Sequence, residues 1–235
     1  MIGVAHEPYV MLMSSLPALG QLLGCTTPAI TVTRLEERLR FLSPEDRADL
    51  DAMISALAWK RIPLGTDESV YLAHVARQME KVRSPVLRNI IRDRLEIRTL
   101  TAALRRRHAG QEAPAPCVPW GYGRHVETIR KNWAQPDFGV ATSFPWVNQA
   151  REQMDAGDTT GLERTMLHAA WNAAARYADG HYFDFEAVAV YVMRWNLADH
   201  WVHYDIASAT RRFETLLDAA CGDLLPESGK PGTSA

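Results

Sequence analysis

The residues with the most chemical potential are His200-Trp201-Val202-His203-Tyr204-Asp205. Histidines three apart on a helix face one way, and Asp199 or Asp205 can add an oxygen, a donor set that suits zinc or iron. The stretch has no His-Glu-x-x-His glutamate and no clear third ligand, and aromatic residues surround it. Core or partner-facing histidines are the simpler reading, with His200, His203 and Asp205 as metal candidates. His181, Asp184 and Glu186 also lie close together. Asp184 suits a helix cap and Glu186 the first turn, where the helix dipole favours acids. No nucleophilic elbow surrounds Ser14, Ser15 or Ser143. The chain has no G-x-x-x-x-G-K-[ST] phosphate loop, and Gly121-Tyr122-Gly123 lacks the strand and third glycine of a dinucleotide fingerprint. Cys25, Cys117 and Cys221 are odd in number with no C-x-x-C spacing, so buried thiols are expected rather than disulfides or a zinc finger. No catalytic residue, cofactor or bound metal is expected.

The element that organises the chain is Ser84–His108. Ser84 is an N-cap, Pro85 suits the first turn, and Gly110 stops the helix. Leu87, Ile90, Ile91, Ile97, Leu100 and Leu104 form an apolar stripe at helical spacing. Arg88, Arg92, Arg94, Arg98 and Arg105–Arg107 fill much of the rest, opposed only by Asp93 and Glu96. The two acids are within reach of arginines three or four residues away, so internal pairing along the helix is expected. Two readings stand: a core helix with a solvated basic edge, or a docking edge for an acidic partner.

The other elements follow from start and stop signals. Tyr9–Ser14 is short and apolar, and a small strand is one option. Thr33 caps Arg34–Leu42. Ser43-Pro44-Glu45-Asp46 starts a helix that Pro63 and Gly65 end. Thr66 caps Asp67–Arg83. Gly121–Ala134, Pro145–Ala156 and, after Asp158, Thr159–Ala178 read as helices. Asp184 caps the stretch Phe185–Ala220, in which a break near His203–Ala207 is one option. The predicted organisation is an N-terminal helical lobe over 1–110, a Pro-rich connector over 111–120, a C-terminal helical lobe over 121–221 and a disordered tail over 222–235. The fold class is all-α: a multi-helix bundle of about seven helices, in one body or two lobes, with at most a short N-terminal strand.

With 26 basic and 28 acidic residues, the formal net charge of -2 argues against a dedicated nucleic-acid binder. No apolar run reaches the roughly 20 residues that cross a bilayer. The N-terminus has His6, Glu7 and Pro8 early and lacks the positive region of a signal peptide, so an intracellular chain is expected.

Three stretches carry a resemblance. YVMLMSSLPAL at Tyr9–Leu19 resembles the YYLVASLP opening of a bacterial family encoded alongside V-type ATPase subunits. Val86–Gly110, with RNIIRDRLEIRTLTAALRRRHAG, is similar to the helix of the V-type ATPase C/d component in which an acid precedes an R-N-[LI]…LR segment. Glu96, Arg98, Leu100 and Arg105 align with that pattern, and Thr99 stands where asparagine is usual. Phe183–Leu217 resembles the bacterial family's C-terminal Y-[LI]-[LI]-[KR]…ILERW…LD helix.

The resemblance implies a non-catalytic, C/d-like subunit of a rotary ATPase or ATP synthase. It implies a cytoplasmic, peripheral position on the inner face of the cell membrane, coupling the central stalk to the membrane ring for ion transport. The implied partners are other V-type ATPase subunits, with no nucleic acid and no membrane span. The residues expected to carry that partner contact are Arg88, Arg92, Arg98 and Arg105. Two alternatives from other classes remain at this point: a helical adaptor that binds an acidic partner, and a metal-dependent enzyme using His200 and His203.

Overall fold

Helix starts are set by side chains that satisfy the backbone N–H groups left open in a first turn. Ser43 accepts from the Asp46 N–H at 3.1 Å, Ser84 from Leu87 at 3.3 Å, and Asp158 from Gly161 at 2.8 Å. Asp184 accepts from Ala187 at 2.9 Å. Each cap stands where the sequence places it. One moves: Thr31, with extended backbone, caps Val32–Leu39 through the Arg34 N–H, so Thr33 lies inside the first turn rather than before it. Thr66 lies outside the described residues.

The computed structural model describes the backbone of residues 7–24, 27–58, 68–116 and 118–222, and side chains within these bounds from Pro8 to Tyr204. Among them the chain is 68% helix with no strand. The helices are α1 (Glu7–Ser15), α2 (Val32–Leu39), α3 (Pro44–Leu57), α4 (Glu68–Lys81), α5 (Pro85–His108), α6 (Val126–Lys131), α7 (Val147–Asp155), α8 (Thr159–Ala175) and α9 (Phe185–Gly222).

The apolar opening is helical rather than extended, because burial recurs at helical steps. Leu12 is fully buried, Tyr9 and Met13 are half-buried, and Val10 and Met11 face outward. No break occurs at His203–Ala207: α9 runs on to Gly222, and neither proline nor glycine interrupts it before that point. The helix after the connector is shorter than its pattern suggests, starting only at Val126, because Gly121 and Gly123 have positive φ and turn the chain against α5.

Helix α5 is the spine. It packs on α3, α6, α7, α8 and α9, and α8 in turn packs on α7 and α9. Its leucines and isoleucines enter two apolar cores. Leu87, Ile90, Ile91, Leu95 and Ile97 join the first with Leu12, Leu50, Met53, Val75, Val188 and Trp201. Leu100, Ala103 and Leu104 join the second with Trp120, Ile129, Phe138 and Val147. The cores therefore divide along α5, and the first takes side chains from both sides of the 111–120 connector.

Two polar anchors, the buried Asp49 and the half-buried Arg107, fix the register. Asp49 of α3 accepts from the Arg83 N–H at 3.0 Å and the Ser84 N–H at 3.3 Å, which fixes the approach to α5. At the other end, Arg107 donates to the carbonyls of Trp133, Gln135 and Pro136 and lies 4.1 Å over the ring of buried Phe138. Phe138 has φ +54, a strained conformation for a side chain of its size, and these contacts hold it there. No helix among the described residues is long and apolar enough to cross a membrane.

Candidate functional site

Among the described residues, a polar concavity lies against the middle of α5. Asp93 and Glu96 stand one turn apart and are held by arginines from elsewhere in the chain. Glu96, 2% exposed, accepts from the Arg124 backbone N–H at 2.7 Å, its Nε at 3.0 Å and its Nη2 at 2.8 Å. Asp93 accepts from Arg124 at 3.2 Å, Arg176 at 3.1 Å and the Tyr177 hydroxyl at 2.8 Å. The pairing expected along α5 itself is thus replaced by pairing across the fold. Burial works to raise the Glu96 carboxyl, but the Arg124 hydrogen bonds outweigh it and hold the group below its ordinary value. The same contact raises the Arg124 guanidinium. Burial and the Asp93 contact push the Tyr177 hydroxyl up to about 12.

The Gly121-Tyr122-Gly123 segment is a clip. The Thr99 hydroxyl accepts from the Tyr122 N–H at 2.8 Å and donates to the Tyr122 carbonyl at 3.0 Å. A Cβ at position 123 would lie 2.2 Å from Glu96 Cγ, and one at 121 would lie 2.4 Å from Thr99 Cγ2. Both glycines let the backbone reach α5, and so bring Arg124 onto Glu96.

A cleft of about 780 Å³ opens beside this network. Its walls come from α5, the segments 124–125 and 143–146, α7 and α8. Helix α8 and the turn after it contribute Arg164, His168, Asn172 and Arg176, four apart and all exposed. The 143–146 segment and α7 add Phe144, Trp146 and Gln149. His125 packs edge-on to Phe144 at 5.2 Å. The helical pattern of Thr159–Ala178 does not by itself mark out this polar face. The i, i+4 series of basic and amide residues is the signal that would have found it. Arg124 gave no local signal, since its partner lies 28 positions back.

The predicted partner-contact residues are not brought together. Arg88 is exposed and donates from Nε to the Val82 carbonyl at 2.7 Å. Arg92 donates to Asn89 at 2.9 Å. Arg98 turns inward, 4.2 Å over the Tyr71 ring and 3.7 Å from Glu68. Arg105 is exposed, with no side-chain hydrogen bond among the described residues, and stands about 25 Å along the helix from Arg88 at 1.5 Å per residue. Arg94 is more deeply placed, and burial pushes its guanidinium down to about 10.

The metal candidates diverge as well. His200 Nε2 is 2.8 Å from Glu163, whereas His203 Nδ1 is 2.7 Å from the Asp199 carbonyl. The Asp205 side chain lies outside the described residues. His181, Asp184 and Glu186 do converge, with donor atoms within 4.8 Å of one another. Each already has work: His181 bonds Asp184 at 2.6 Å, Asp184 caps α9, and Glu186 accepts from Ser84 at 2.8 Å. They stand at the N-termini of α5 and α9, where the helix dipoles oppose a cation.

Comparison of the chain with family models, with curated proteins and with solved structures finds no match.

Proposed function

We propose that this chain is a non-catalytic, C/d-like subunit of a bacterial V-type rotary ATPase, placed peripherally between the central stalk and the membrane ring. The observation that carries the reading is the convergence of the three stretches that resemble that group. Tyr9–Leu19, Val86–Gly110 and Phe183–Leu217 are far apart in sequence, yet Leu12, Leu87, Ile91, Val188 and Trp201 share one core. The Tyr191 hydroxyl donates to the Pro17 carbonyl at 2.9 Å, and Ser84, the cap of α5, donates to Glu186 of α9. The three stretches thus meet in the first core through their described residues, which supports reading them together. A rigid helical body with a long spine suits a coupling element, whose task is to transmit force through interfaces.

Arg88 and Arg92 are the contact residues this reading singles out. They lie one turn apart on α5 and, among the described residues, donate to nearby atoms of the same segment, Val82 and Asn89. A guanidinium desolvated in an interface matters far more than one in water, since removing its partner strands a charge. Arg88→Glu with Arg92→Glu is expected to release the tagged chain from the other ATPase components while its circular dichroism stays helical. Wild-type occupancy of the folded double variant would make this edge a solvated face.

A further inference from the structure

The polar cleft does not resemble an enclosed small-molecule site, which is mostly apolar and buries most of its ligand. One wall is the exposed series Arg164, His168, Asn172 and Arg176. The twelve helical steps from Arg164 to Arg176 span about 18 Å, the length of five or six residues of extended chain. The charges are layered. The Asp93 and Glu96 carboxylates are sequestered by Arg124, Arg176 and Tyr177, with the Arg124 and Arg176 side chains 61% and 67% exposed above them. Asp158 is turned to the α8 N-terminus, where it accepts from Gly161. Arg164 lies 5.4 Å from the Trp201 ring and, like His168 and Asn172, makes no side-chain hydrogen bond to a described residue. What faces outward along this wall is therefore guanidinium, imidazole and amide, with Phe144 and Trp146 at one side and the exposed Asp158 carboxylate confined to the α8 N-terminal end.

We infer that this cleft binds an extended acidic peptide segment of a partner protein. Arg164 and Arg176 would hold carboxylates at its two ends, because a guanidinium offers paired donors that match a carboxylate. Asn172 and Gln149 each offer a donor and an acceptor to a peptide backbone. Phe144 and Trp146 would seat an apolar side chain between the acids. The inference is independent of the rotary-ATPase reading, since it rests on the groove alone.

The test is selection of a random-peptide phage library on the full chain, followed by fluorescence anisotropy of the enriched peptides. Acidic sequences containing an apolar residue are expected. Their affinity should fall about tenfold in Arg164→Glu with His168→Glu, as exposed ion pairs are replaced by repulsions. Arg77→Glu with Lys81→Glu, the same spacing and similar charge change on the exposed face of α4, should bind as wild type. If the groove variant loses its helical circular dichroism, Arg164→Ala with His168→Ala takes its place and should weaken binding in the same direction. Enrichment of no peptide, or of non-acidic ones, would overturn the inference. So would acidic peptides that bind both groove and control variants equally, or that double-stranded DNA displaces at equal affinity, since either result describes bulk charge.

Discussion

Glu96 is the residue on which the cleft depends. Its carboxylate collects three donors from Arg124 while almost fully buried. Arg124 is largely exposed and can turn to water, so Glu96→Gln is expected to cost only the hydrogen bonds of the buried carboxylate, about 1–2 kcal/mol in urea unfolding at neutral pH. The pH dependence has a definite sign. The folded carboxyl sits below its ordinary value, so its stabilisation is present above the unfolded value of roughly 4.3 and is lost as pH falls through the folded value. The Gln variant should lose less stability on acidification than wild type. Equal acid sensitivity of the two would mean that Glu96 is not held in its charged form. Gly123 is tied to the same contact. With φ +118 and Glu96 within 2.2 Å of any added Cβ, Gly123→Ala should destabilise by about 1–3 kcal/mol and detach Arg124.

Among the elements, α5 and α9 are joined at their N-termini by one hydrogen bond, from Ser84 to Glu186 at 2.8 Å. Ser84 also caps its own helix, so Ser84→Ala should cost about 1–2 kcal/mol. A double-mutant cycle with Glu186→Gln should show coupling of about 0.5 kcal/mol or more, whereas strict additivity would show that the two helix starts are independent. This scale also separates what was legible in the chain from what was not. Ser43, Ser84, Asp158 and Asp184 could be read as caps because the N–H they satisfy lies three residues away. The apolar stripe of α5 was legible for the same local reason. The partners of Asp93 and Glu96 were not. Arginines one turn away offered a local answer, and the fold chose Arg124 and Arg176, 28 and 83 positions distant from their partners. His200 likewise meets Glu163, 37 positions away, rather than His203. In α9 the optional break near His203–Ala207 does not occur, because no proline or glycine interrupts the stretch before Gly222.

At the scale of the whole molecule, tyrosines tie distant segments together and set an alkaline limit. Burial pushes the hydroxyls of Tyr71, Tyr177 and Tyr191 up to about 12. Their neutral form is the one the fold prefers. That preference is fully present below the unfolded value of about 10 and is lost as pH rises through about 12. Unfolding free energy should therefore fall between about pH 10 and pH 12, with absorbance reporting tyrosinate as the chain opens. A flat profile over that range would contradict the buried roles given to these three side chains. The proposed rotary-ATPase role rests on the same α1–α5–α9 contacts that Tyr191 helps to close. Whether the chain works inside such an assembly is tested most directly by native mass spectrometry of the complex isolated from host membranes through a tag on this chain. The expected result is one particle containing this chain together with the nucleotide-binding A and B subunits of the ATPase. Recovery of the chain without those subunits, from membranes that demonstrably contain the assembled ATPase, would contradict the account.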